Sequence, residues 1–250
     1  MRLQGKTALV TGAGQGLGFA FAQRLASDGA SIAVVDIAAA DAAVARLRQA
    51  GAQAIGIAAD VSKEADVERA VGEAMKAFGR IDVLVNNAGF FTGMKVGPFE
   101  LIGVEEWNRM MSVNVLGPYL FCRAVVPHMR KQGGGRIINI SSGTALKGVP
   151  GSLHYVSSKA ALIGFTRSLA RELGKDNITV NAIAPGLTLS DGVLSRAANQ
   201  PSLEAQRKTR AIQRDEKPED LVGALSFLAS DDAAFVTGQT LAVDGGSAMI

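Results

Sequence analysis

Thr11-Gly12-Ala13-Gly14-Gln15-Gly16-Leu17-Gly18 follows a short apolar run, Thr7 to Val10, and leads into a helical pattern. Glycine in such a turn lets the backbone bend sharply and approach a pyrophosphate, which the helix N-terminus attracts electrostatically. The spacing is T-G-x-x-x-G-x-G, carried by Gly12, Gly16 and Gly18, and not the common G-x-G-x-x-G. Alone the turn reads two ways, because glycine-rich strand–helix turns also serve packing. The rest of the chain has to decide.

Moving outward, short β-like runs alternate with helical patterns. Thr7 to Val10, Ser31 to Asp36, Ala54 to Ala58, Ile81 to Asn86, Arg136 to Ser141, Ile178 to Ile183 and Thr240 to Val243 read as strands. Several are apolar at consecutive positions, as expected when helices cover both faces of a sheet. Between them, Val67, Ala70, Val71, Ala74, Met75 and Phe78 form an i, i+3, i+4 stripe ending at Gly79. Another helix is predicted from Tyr155 to Leu173, stopped by Gly174, and a third opens at Pro218, a residue suited to a first helical turn. Repeated β-α-β units imply an α/β fold, a single-domain, Rossmann-like, doubly wound parallel sheet flanked by helices across residues 1–250. Only Leu187 to Glu216 breaks the rhythm, and an irregular segment of that length predicts a functional lid at about 187–214.

The bulk composition narrows the function classes. Hydrophobic residues make up 48% and charged residues 20% of 250, which suits a globular chain and excludes wholesale disorder. The formal net charge is +3, with Lys and Arg spread along the chain. The densest run, Arg207 to Arg214, reads as a solvated helix face, so no nucleic-acid partner is expected. One cysteine, Cys122, precludes an internal disulfide and reads as core packing, and with two histidines beside it no metal-ligand cluster is expected. No signal-like segment and no membrane-spanning stretch are evident, so a cytoplasmic protein without a membrane partner is expected.

Further positions share the site implied by the first turn. Asp36 ends the second strand, 18 residues beyond Gly18, where a carboxylate can accept hydrogen bonds from both adenosine ribose hydroxyls. It would repel a 2′-phosphate and so favours NAD over NADP; Gln15, where a basic residue could meet that phosphate, agrees. Leu17 and Ile37 flank these positions, Asp60-Val61 could bracket the adenine, and Asn87-Ala88-Gly89 could line the same crevice. Each segment lies at the carboxyl end of a predicted strand or just beyond it, where open α/β sheets bind ligands.

Tyr155 and Lys159 lie four apart on one predicted helix face, and Ser142 ends the preceding strand. Together they supply a weak acid, a cation and a hydrogen-bond donor. Removing a hydride from an alcohol carbon requires the hydroxyl proton to leave too, and a neighbouring ammonium would lower a tyrosine pKa toward that task. A lone Tyr-x-x-x-Lys is common by chance. With Thr11 to Gly18, Asn86 to Gly89, Ser142, Pro185-Gly186 and Phe235 to Gly246, however, the chain resembles the short-chain dehydrogenase/reductase family over essentially its whole length.

The resemblance implies Tyr155 as general acid/base and Lys159 as the residue that binds the nicotinamide ribose and lowers the Tyr155 pKa. It implies Ser142 as hydrogen-bond donor to the substrate oxygen, and Asn114 as support for a proton-relay water. Pro185, Gly186 and Thr188 would close over the nicotinamide, with Thr188 near its carboxamide. Ser190 replaces a threonine common in the family, and the extra Gly14 in the first loop is expected to be inconsequential. His154 is expected at the surface or the substrate rim, and Trp107 in packing.

The function implied is an NAD(H)-dependent oxidoreductase acting on a secondary alcohol or ketone, assembled as a homotetramer through the Tyr155–Leu173 helix and Gly245 to Ile250. The substrate stays open: a pocket of Phe90, Phe91, Met94, Leu146, Val149, Leu187, Leu189 and Val193 suits an apolar or aromatic compound. Resemblance in the last third extends to aryl-alkyl carbinol and pyridoxal dehydrogenases, and a 3-oxoacyl reductase is the alternative on the same site. A non-enzymatic NAD-sensing protein could lose Ser142, Tyr155 or Lys159; all three are present. An epimerase or dehydratase would need an added substrate domain.

Overall fold

A computed structural model describes residues 1–38, 40–91, 93–190, 193 and 203–249. The consecutive apolar residues of the strands divide between two cores. In β1 (Thr7–Thr11), Ala8 and Val10 point into one and Leu9 into the other. In β4 (Val83–Asn86), Val83 and Val85 likewise oppose Leu84. Side chains alternate across a strand, so a strand covered on both sides must be apolar at every position.

β2 (Ser31–Asp36), β3 (Ala54–Ala58), β5 (Gly135–Ile140), β6 (Ile178–Pro185) and β7 (Thr240–Val243) complete one parallel sheet, ordered β3-β2-β1-β4-β5-β6-β7. Order reverses between β1 and β4, the crossover point where doubly wound sheets open a crevice. The predicted strands all occur. β4 begins at Val83, later than expected; just before it the Asp82 N–H donates to the Thr7 carbonyl at 2.8 Å and the Asp82 carboxylate accepts the Thr7 N–H at 2.9 Å. β6 runs on to Pro185, paired with Val243.

Helices α1 (Gly16–Ser27), α2 (Asp41–Gln49) and α9 (Pro218–Ala229) cover one face, contributing Phe21, Leu25, Leu47, Leu221 and Leu225. The other face is covered by α3 (Glu64–Phe78), α5 (Gly117–Lys131) and α7 (Leu153–Leu173), through Val67, Val71, Phe121, Val125 and Leu173. Gly79 ends α3 in a left-handed conformation, as its position predicts. Gly174 does not end its helix in that way; it opens a 3-10 turn to Asp176, and the left-handed residue is Asn177.

α4 (Val104–Met111) continues through a π-helical turn, Ser112–Leu116, into α5. The continuous helix spans 28 residues with a mean hydropathy of 1.2 in its most apolar window, so one stretch does reach membrane-spanning length. That corrects the sequence reading. Its apolar residues have another use, since Leu120, Phe121, Val125 and Met129 are buried against the sheet. The remaining helices, α6 (Gly143–Lys147) and α8 (Leu203–Lys208), are short and flank the crevice.

Candidate active site

The carboxyl ends of the strands open into one cavity of about 530 Å³. Its wall includes Gly12, Gln15, Gly16, Leu17, Gly18, Asp36, Ile37, Asp60 and Val61 at one end. Asn87, Ala88 and Gly89 lie along it, and Ser142, Tyr155, Lys159, Pro185, Gly186 and Thr188 line the other end. Eighteen residues scattered through the sequence thus face one space, which independent packing motifs would not do. Among the expected catalytic and cofactor-binding residues only Asn114 stands behind the wall.

At the first end, β1 turns through Gly12 at φ +63°, where a Cβ would meet Ala88 Cα at 2.8 Å. Gln15 precedes α1 in extended conformation and gives it no side-chain cap. The N–H groups of the first turn are therefore left to an anion, the arrangement a pyrophosphate takes. Asp36 Oδ2 accepts the Gly14 N–H at 2.9 Å, and a Cβ on residue 14 would stand 2.9 Å from that oxygen. Gly14 is therefore not inconsequential: its missing side chain lets the loop hold the carboxylate in place. With half-buried Asp36 oriented beside a glycine cradle, these residues fit the adenosine and pyrophosphate of a dinucleotide.

At the other end, Ser142 caps α6, its Oγ accepting the Thr144 N–H at 3.2 Å and the Thr144 hydroxyl at 3.0 Å. Tyr155 and Lys159 are one turn apart on α7, both buried, with the Lys159 Nζ 5.9 Å from the centre of the Tyr155 ring. That ammonium donates to the Ile140 carbonyl at 2.7 Å. Burial pulls the Lys159 ammonium down to about 8 and pushes the Tyr155 phenol up to about 12, against a smaller lowering by the Ser142 hydroxyl. The lowered tyrosine expected from the resemblance is absent from the protein alone. Desolvation of the phenolate is the dominant cause, and one N–H of the Lys159 ammonium is spent on the Ile140 carbonyl.

Asn114 sits in the π turn, fully buried. Its Oδ1 accepts the Phe90 N–H at 2.7 Å, and its Nδ2 donates to Ser158 Oγ at 3.0 Å. The side chain thus fastens the loop after β4 to α7. A π turn has no hydrophobic period that would reveal it in sequence, although such turns recur at functional sites.

His154 departs from expectation. It does point away from Tyr155, but α4 covers that face; the ring is fully buried, with Nε2 3.2 Å from Glu106 Oε1. Glu106 in turn accepts the Lys95 N–H at 2.8 Å, fixing the loop that carries Phe90 and Phe91. Phe91 packs on the Tyr155 ring with centroids 5.2 Å apart. Trp107 is half-buried and outside the cavity wall.

Of the expected substrate pocket, Phe90, Phe91, Val149, Leu187 and Val193 line the cavity, whereas Met94 is buried beside Tyr155, and Leu146 and Leu189 lie off the wall. Sequence reading missed Arg109 and Lys147, which line this end too. The Arg109 guanidinium lies 4.4 Å over the Phe90 ring, and Lys147 Nζ donates to Ser247 Oγ at 2.8 Å. Exposed basic residues carry no periodic signal, so only the fold identifies these two. The expected lid is described at its two ends; Gly192, Leu194 and Pro201 lie outside the described residues.

Comparison with known proteins agrees with this geometry. The family described as enoyl-(acyl carrier protein) reductase matches residues 12–248. A human protein, dehydrogenase/reductase SDR family member 4, is 41% identical over 98% of this chain and 88% of its own length. The 3-ketoacyl-(acyl-carrier-protein) reductase from Brucella melitensis, solved with NADH, is 37% identical, with a TM-score of 0.89 over 99% of this chain and all of that one. A blue fluorescent protein from a metagenomic library, solved with NADPH, is 38% identical, with a TM-score of 0.91 over the whole of both chains.

Proposed function

The chain belongs to the short-chain dehydrogenase/reductase family of oxidoreductases, and from that premise we propose that it moves a hydride between NAD(H) and a secondary alcohol or ketone of apolar or aromatic character. The observation that carries this reading is the single cavity joining oriented Asp36 to the Ser142, Tyr155 and Lys159 group. When bound, the nicotinamide supplies the carbon that gives or takes the hydride. Ser142 donates a hydrogen bond to the substrate oxygen, and Tyr155 gives that oxygen its proton. A phenol held at about 12 keeps its proton at neutral pH, which suits donation to a carbonyl. Lys159 holds the nicotinamide ribose, and Phe90, Phe91, Val149 and Val193 keep water from the reacting carbon.

Asp36 supports NAD over NADP, because a 2′-phosphate against this carboxylate meets repulsion. The test is turnover of a panel of secondary alcohols and aryl-alkyl ketones with each cofactor, followed by absorbance of the reduced form. A preference for NAD of at least about tenfold in kcat/KM, narrowed by Asp36→Ala through weaker NAD binding, is expected. Equal kcat/KM for both cofactors would overturn the NAD assignment.

A 3-oxoacyl substrate is the second reading. Arg109 and Lys147 at the substrate end have no carboxylate partner among the described residues, which suits an acyl group borne on an anionic carrier. Acetoacetyl-coenzyme A in the same panel separates the two. A homotetramer built through α7 and the carboxyl end, in the cytoplasm, completes the proposal. Exposed Ala160 and Gly164 on α7 and exposed Phe235 and Met249 support the assembly.

A further inference from the structure

Beneath the loop that follows β6 lies a buried polar cluster that joins Thr188 of the cavity wall to Arg210 and Glu216, two residues with no part in the function proposed above. Thr188, Arg210 and Glu216 are 6%, 6% and 5% exposed. The Thr188 hydroxyl donates to Glu216 Oε1 at 2.7 Å. The two residues form a parallel bridge, and the Leu189 N–H donates to the Glu216 carbonyl at 2.8 Å. Arg210 donates to the carbonyls of Leu187 at 2.9 Å and Arg214 at 2.7 Å, with a guanidinium nitrogen 3.8 Å from Glu216 Oε2. That second carboxylate oxygen is buried without a hydrogen-bond partner.

Burying a carboxylate is costly, and this one is imperfectly compensated. The backbone bridge already fastens the loop, so fastening does not account for the charge. Its chemistry does. An ionised carboxylate only accepts, so Thr188, with one hydroxyl proton, must spend that proton inward. What Thr188 turns toward the cavity is lone pairs alone. A primary carboxamide offers both an NH2 donor and a carbonyl acceptor, and an acceptor-only wall takes the NH2.

We propose that Glu216 is a positioning residue that fixes Thr188 as a hydrogen-bond acceptor, so that the site binds the nicotinamide carboxamide by its NH2 group and holds the ring in one orientation. The inference rests on the reading of the cavity as a nicotinamide dinucleotide site. The charged groups facing Glu216 are Arg210 and, across the loop, Asp244. Desolvation raises the Glu216 pKa, Arg210 opposes that rise and Asp244 adds to it.

The test compares equilibrium binding of NADH with that of its reduced 3-acetylpyridine analogue, in which an acetyl group replaces the carboxamide and the NH2 is lost. Dissociation constants come from calorimetric titration of the full-length protein. The wild type is expected to bind the analogue about tenfold more weakly than NADH, the worth of one hydrogen bond that leaves a buried partner unmet. In Glu216→Gln the side-chain amide can donate to Thr188 and release its proton to the cavity, so the ratio should fall to about threefold or less. Thr188→Val, which removes the acceptor together with the hydroxyl that donates to Glu216, should abolish the preference. A folded Glu216→Gln that keeps the wild-type ratio overturns the proposal, and so does Thr188→Val keeping it, even if the glutamine variant does not fold. Equal wild-type affinities overturn it while leaving the dinucleotide site in place. Failure of the wild type to bind either compound overturns both.

Discussion

At the scale of single residues, the site is costly because its ionisable side chains are buried. Lys159 is pulled from its ordinary 10.5 to about 8 by burial. Its folded pKa is depressed, so the unfolded chain holds the proton more tightly and stability rises with pH between about 8 and 10.5. Below about 8 the full cost applies, roughly 3 kcal/mol, less about 1 kcal/mol for the bond to the Ile140 carbonyl. Lys159→Met should therefore raise Tm at pH 7 by several degrees, with the gain shrinking toward pH 10, while turnover is lost. A variant less stable than wild type at pH 7 would show that the ammonium is solvated. Tyr155→Phe should lower kcat at least about 100-fold and change the NADH dissociation constant less than threefold. The phenol handles the substrate's proton, whereas binding rests on the glycine turn, Asp36 and Lys159.

At the scale of elements, Ser142 serves two structures at once. It ends the β5 connection and caps α6, so its hydroxyl is held by Thr144 before any substrate arrives. Ser142→Ala should cost about 1 kcal/mol in denaturant-induced unfolding, the usual worth of an N-cap, in addition to lowering kcat. Ser142→Thr retains a capping oxygen and should recover the stability. Unfolding curves that superimpose for wild type and alanine variant would deny the cap any role. The sequence located Ser142 but not α6, since five residues are too few to show a helical period. It missed the π turn for a related reason: Asn114 is legible as a residue, yet its clamp on Phe90 and Ser158 depends on partners 24 and 44 positions away.

At the scale of the molecule, each strand delivers its loop to the same edge of the sheet, and the crossover between β1 and β4 leaves room for a ligand there. At the sheet's opposite margin β7 is an edge strand, and Phe235 near it is fully exposed. An unpaired edge flanked by exposed aromatic and methionine side chains is a surface that a second copy can cover. Light scattering at micromolar concentration should give a mass near four times 25.9 kDa. Gly164→Arg on the exposed face of α7 should reduce it, while the circular dichroism spectrum stays unchanged. A stable monomer in the unmodified protein would contradict the assembly.

Local order and chemical identity were set by the sequence itself. Doubly covered strands must be apolar throughout, so Leu9 and Val10 announce a sandwiched strand without reference to anything distant. Glycine turns and a Tyr-x-x-x-Lys pair are likewise short-range facts. What only the tertiary structure decided depends on which surfaces meet. His154 is buried because α4 lies across it, and Gly14 matters because Asp36 comes back beside it. Arg109 and Lys147 reach the cavity from α4 and α6, and Glu216 lies under Thr188 though 28 residues separate them. Burial and charge pairing across the fold set the ionisation of Tyr155, Lys159 and Glu216, because the cost of a charge depends on the water removed around it, and that depends on every element packed against it.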